Sequence, residues 1–175
     1  MSNGYRDQLM TVRVGALLAL VTLLYGFGLG AAFGAKEDQI KDHLENNGRA
    51  VFSQVYHGDE AALEKIVGKS WSYFKRAHLH ANGLGTAALA ATLLLTLVAG
   101  APAIKALAAG LFGFGALGYS SFWMFAGLKA PGLGSTHAAK EALTWLALPA
   151  SGACIAGLLL VLYLLCTTVF LPSHD

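Results

Sequence analysis

The sequence predicts an all-α integral membrane protein, a four-helix bundle with an amphipathic helical segment between its first two spans. Three observations predict it. Of 175 residues, 55% are hydrophobic and only 13% charged, where a soluble domain carries about 25% charged residues. Apolar stretches run over residues 14–35, 83–100, 106–127 and 142–171, and a helix of roughly 20 such residues crosses a hydrocarbon core about 30 Å thick. Most of the charge lies in one segment, residues 36–76, between the first two stretches. The whole chain, 1–175, reads as one transmembrane domain.

The first stretch follows Arg6 and Arg13 and is longer than the apolar core of about 7 to 15 residues that marks a signal peptide, so it reads as a retained span. Its Gly26, Gly30 and Gly34 form a double GxxxG, the spacing that lets transmembrane helices approach closely. Twenty-one glycines in a chain of this size point to close helix packing, to self-association, or to an interior that holds a flat, bulky group.

Residues 36–76 are amphipathic rather than spanning. "KEDQIKDHLENNG" reads as a short helix with acids in its first turn and Gly48 past its end. Asp59 reads as the N-cap of a second helix from Glu60. Trp71, Tyr73 and Phe74 beside Lys75 and Arg76 form the aromatic and basic belt of a membrane interface. The segment is expected either to cap the membrane surface or to cover a site to which His57 contributes.

The second span opens on "KRAHLHANGLGT", and the third carries Gly110, Gly113, Gly115 and Gly118. The fourth has 30 residues, ~45 Å at 1.5 Å per residue, so it must tilt, bend or protrude. Pro149, which removes an internal hydrogen bond, is the expected bend. Cys154 and Cys166, twelve residues apart on that helix, are too distant to bridge. Neither sits in a CxxCH context, which excludes covalent c-type haem. A net charge of +2 is too small to suggest nucleic acid as a partner.

Four spans place both termini on one side of the bilayer. His43, His57, His78, His80 and His137 then share the opposite side, and only His174 does not. Orientation stays open, because nine lysines and arginines on the histidine side are mixed with acids, while Arg6 and Arg13 argue the reverse.

Residues two apart on a helix diverge by about 200°, so His78 and His80 face different ways. His78 is followed by Asn82 at i+4 and Gly85 at i+7, a polar-then-small stripe, whereas His80 is followed by Leu84 and Ala87. A histidine with a glycine two turns on can ligate haem iron and leave room for the macrocycle. His137, one turn before Glu141, is the expected second ligand from the fourth helix, with Glu141 orienting its ring. Copper or zinc on the same histidines is the alternative. His80 is expected as a supporting or lipid-facing residue.

"AHLHANGLG", residues 77–85, resembles the AHAHLNLLG motif of small bacterial membrane proteins related to haem–copper oxidase subunit one. Ala77, His78, His80, Asn82, Leu84 and Gly85 match it, while Leu79, Ala81 and Gly83 depart from it. The resemblance implies a haem b near the start of the second span with His78 or His80 as ligand. It also implies a bacterial inner membrane and electron transfer with a quinone or a partner complex, but not oxygen reduction. A second resemblance rests on fewer residues. Four spans, a long first loop and "RAH" look like the MAPEG glutathione-dependent membrane enzymes, with Arg76 and Ala77 matching. His80 and Gly83 stand where that family has an asparagine and an acid, and its basic residues near the end of the third helix reduce here to Lys129. The remaining expectation is an accessory subunit or homo-oligomer associated through its glycine faces.

Overall fold

A computed structural model describes residues 2–170. Among them are six helices and no strand: α1 (Ser2–Arg49), α2 (Phe52–Val55), α3 (Glu60–Leu95), α4 (Pro102–Leu133), α5 (Thr136–Glu141) and α6 (Thr144–Phe170). The chain is all-α as expected, with four long helices and two short ones rather than four alone. Three helices, α1, α4 and α6, are long and apolar enough to cross a membrane. Leu171, the last residue of the fourth predicted span, and His174 lie outside the described residues.

The helices overrun their predicted boundaries because little in the sequence stops them. No proline lies between Met1 and Gly100. The first span therefore continues into "KEDQIKDHLENNG" as one helix of 48 residues, interrupted only by a kink at Lys36 (φ −140°, ψ 25°). Likewise α3 joins the amphipathic helix to the second span and ends at Leu95, short of residue 100. At 1.5 Å per residue α3 is about 54 Å long, well beyond a ~30 Å core. The segment 36–76 is thus no separate cap. Its two longer helical parts are continuations of α1 and α3, joined by the short α2.

This extension is tied at several points. Asp59 caps α3 as expected, its side chain accepting a hydrogen bond from the Ala62 amide at 3.0 Å. Arg49 reaches Glu45 on its own helix at 2.7 Å and Glu60 on α3 at 2.6 Å. These pairs are exposed and contribute little energy. The stronger tie is Tyr56, a buried side chain whose hydroxyl donates to the Pro131 carbonyl at 2.6 Å. Burial pushes its phenol above the ordinary value. Proline at 131 lies in the last turn of α4, and Gly134 (φ 60°) ends that helix in the left-handed conformation that a side chain disfavours. Gly48, predicted to lie past a helix end, is inside α1 and faces Leu63 of α3.

The fourth predicted span begins two residues late, with α6 starting at Thr144. The turn between α5 and α6 falls at residues 142–143, where amides bond three residues back (Leu143 to Lys140, Leu146 to Leu143). It precedes Pro149, and α6 continues through that proline.

Helix α4 is the hub. It packs along α1, α3 and α6, and α1 packs along α3, while α6 touches α3 only slightly. Close approach follows the small residues. Gly113 of α4 receives Leu18 of α1, Gly115 and Gly118 receive the backbone and side chains of α6, and Gly157 of α6 receives Phe112. Glycines 28, 110 and 152 meet nothing within 4 Å, so close packing accounts for some of the glycines and not all.

Candidate functional site

Helix α3 carries His78, His80 and Asn82 within an unbroken helical stretch, and they go to two different neighbours. His78 and Asn82 face α1. The His78 Nδ1 lies 2.8 Å from the Gly26 carbonyl oxygen. A carbonyl only accepts, so Nδ1 is the donor in this contact. The Asn82 amide nitrogen donates to the His78 carbonyl at 2.9 Å. The ring edge of His78 also meets Phe33 at 5.8 Å between centroids.

The double GxxxG of α1 makes this possible. A Cβ on Gly30 would lie 2.8 Å from His78 Cε1, and one on Gly26 would lie 2.9 Å from the Asn82 amide. One turn on, the exchange reverses: Gly85 of α3 receives Leu23 of α1, with Leu23 Cγ at 3.1 Å from the Cβ position. Ala19 and Ala88 then share a buried cluster. The antiparallel register 30–78, 26–82, 23–85 is a seam in which large meets small at each step. Gly34, the third glycine of the motif, has nothing within 4 Å.

His80 faces α4. Its ring stacks on Tyr119 at 5.2 Å with planes 12° apart, and meets Trp123 edge-on at 6.2 Å. It is half-buried against these rings. One turn before it, the Arg76 guanidinium lies over the Trp123 ring at 4.9 Å and the Tyr73 ring at 5.5 Å. Both are cation–π contacts. The aromatic and basic residues of the belt were legible in the sequence. Their partners Tyr119 and Trp123, far along the chain, were not.

His137 lies elsewhere. It is an exposed residue of α5 whose Nδ1 is 3.2 Å from Glu141 Oε2, the one-turn pairing expected. Together they border a shallow surface depression with Phe122, Lys140 and Thr144. The described contacts of His78 are on α1 and α3, and those of His137 on α4, α5 and α6. The two rings share no described neighbour: His78 is turned toward α1, and His137 pairs with Glu141 on α5. His57 occupies the exposed turn between α2 and α3 with φ 53°, and His43 sits beside Asn47 at 3.2 Å. No group of three or more His, Cys, Asp or Glu residues suited to a metal ion occurs among the described residues.

The fit of a haem follows from the seam. The recess that Gly85 offers beside His78 is filled by Leu23, and the space over Gly30 is filled by the imidazole itself. In this arrangement a macrocycle does not fit next to His78. Sequence reasoning also missed a buried cation at the other end of the bundle: Lys105 is 4% exposed and its Nζ donates to Gln8 Oε1 at 3.0 Å. Its place directly before an apolar run was the available signal.

No family model, curated protein or solved structure matches this chain, the haem–copper oxidase and glutathione-enzyme groups included.

Proposed function

We propose that this chain is a four-span integral membrane protein of a bacterial inner membrane, acting as a structural or accessory subunit of a membrane complex. The observation that carries the structural role is the docking of His78 and Asn82 on the glycines of α1, which uses the polar motif to join two helices. A belt of exposed large apolar side chains supports the membrane setting: Leu17, Leu24 and Phe27 on α1, Leu159, Leu162 and Phe170 on α6, all more than half exposed. A surface this apolar is what lipid covers.

Helix α3 is the fourth span in this reading, although its composition is less apolar than that of the other three. Its His78 and Asn82 face α1 and its His80 faces α4, so these polar groups are partly withdrawn from lipid. Packed along both α1 and α4, it crosses wherever they cross.

One observation favours a second reading, haem b, copper or zinc at His78 with electron transfer to a quinone. With Nδ1–H held by a backbone carbonyl, Nε2 is free in the tautomer that metal-binding histidines use. Haem requires Leu23 to leave its recess.

One purification tests both. The structural reading expects the chain to resist carbonate washing of membranes, to dissolve in detergent, and to show no Soret band oxidised or dithionite-reduced. Recovery in the wash overturns the membrane setting. A Soret band lost on His78→Ala overturns the structural role in favour of haem.

A further inference from the structure

We propose that the groove between α3 and α6 binds one anionic phospholipid, its acyl chain along the groove and its phosphate at Arg76. The inference rests on the membrane setting above, and it adds a ligand to a surface otherwise left open.

The groove exists because α4 holds α3 and α6 apart: both pack along α4, yet they barely meet each other. The α3 wall is one helical face, His80, Leu84 and Ala87, at spacings of four and seven. On α4 the matching strip is Tyr119 and Phe112, also seven apart. His80 stacks on Tyr119, while Leu84, Ala87 and Phe112 line a cavity of about 370 Å³ with Ile155 of α6. The antiparallel strips therefore run together, from an aromatic end to an apolar one.

The two ends differ as the two ends of a lipid differ. The apolar end offers hydrocarbon and the Cys154 thiol. At the other end the Arg76 guanidinium carbon lies 4.9 Å from the Trp123 ring centroid and 5.5 Å from that of Tyr73, and has no carboxylate partner among the described residues. A guanidinium without a carboxylate partner keeps its N–H donors for a planar or tetrahedral anion, and phosphate is the anion found at that depth.

Length decides between a lipid tail and a small anion. Arg76 and Ala87 are eleven residues apart, about 16 Å along α3. One leaflet of a ~30 Å core is about 15 Å deep. A phosphate at Arg76 thus places its own acyl chain in the apolar cavity.

The test uses the full chain, purified in detergent and stripped of lipid, titrated with phosphatidylglycerol or with phosphatidylcholine of identical chains. Native mass spectrometry reads the adduct. A one-to-one phosphatidylglycerol adduct is expected, about fivefold tighter than the phosphatidylcholine one, the preference one basic residue confers toward anionic lipid. Arg76→Gln is expected to abolish that preference, and Ala87→Phe, at an exposed position, to abolish binding of both lipids by filling the groove. Equal binding of the two lipids by the native chain overturns the proposal, as does binding unchanged by Ala87→Phe. A chain that stays soluble without detergent fails the membrane setting instead, so the two failures are distinguishable.

Discussion

Gly115→Leu is expected to release α6 from the bundle. A Cβ on Gly115 would lie 2.5 Å from the Cys154 amide nitrogen and 2.6 Å from the Ala150 carbonyl oxygen. Both are backbone atoms, which cannot rotate aside as a side chain can. The helices must separate, and overpacking of this kind costs about 1–3 kcal/mol or more. The consequence is local because α6 depends on α4: its contact with α3 is slight. Two measurements check it. The melting temperature in detergent should fall, and the Cys154 thiol, now half-buried, should react faster with a maleimide. Gly152→Leu is the control, since nothing lies within 4 Å of its Cβ position; it should change stability by no more than about 0.5 kcal/mol.

The second large effect is in the α1–α3 seam. His78→Ala removes the hydrogen bond to the Gly26 carbonyl and the ring that covers Gly30. Intramembrane hydrogen bonds measure about 0.6 to 1.7 kcal/mol, and the lost packing adds to that. Gly30→Leu alone should be as damaging, because its side chain meets His78 Cε1. Together the two changes should be less harmful than their sum, with a coupling of about 0.5–3 kcal/mol, since leucine then occupies the space that the imidazole vacates. A thermal double-mutant cycle reads this coupling. Strictly additive costs would mean that the ring does not lie in the seam.

Much of this was legible in the chain. Hydropathy marked out α1, α4 and α6, and Asp59 announced the start of α3 correctly. The polar-then-small stripe His78–Asn82–Gly85 was rightly separated from His80, because helical geometry alone does that. What it faces was not legible. A stripe of this kind serves a flat ligand or a neighbouring helix equally well, and the complementary glycines of α1 were read apart from it. The register 30–78, 26–82, 23–85 joins the two motifs into one feature. Helix ends failed for a related reason: a hydropathy change at residue 36 or 83 marks a change of surroundings, not a helix terminus, and without proline the backbone continues. Pro149 was the visible irregularity of the fourth span, yet α6 continues through it, while the turn at residues 142–143, made by three-residue hydrogen bonds, carries no proline to announce it.

The central claim is that α3 crosses the membrane beside α1, α4 and α6, despite its polar motif. Single cysteines in a Cys154→Ala, Cys166→Ser background test it most directly, labelled with an impermeant maleimide in sealed vesicles of each orientation. Ser53→Cys and His137→Cys lie toward one end of the bundle, and Gly4→Cys and Ala101→Cys toward the other, all at exposed positions. The first two should label together from one side and the last two together from the opposite side. Labelling of Ser53→Cys and Ala101→Cys from the same side would contradict the account, because the helix between them would not cross.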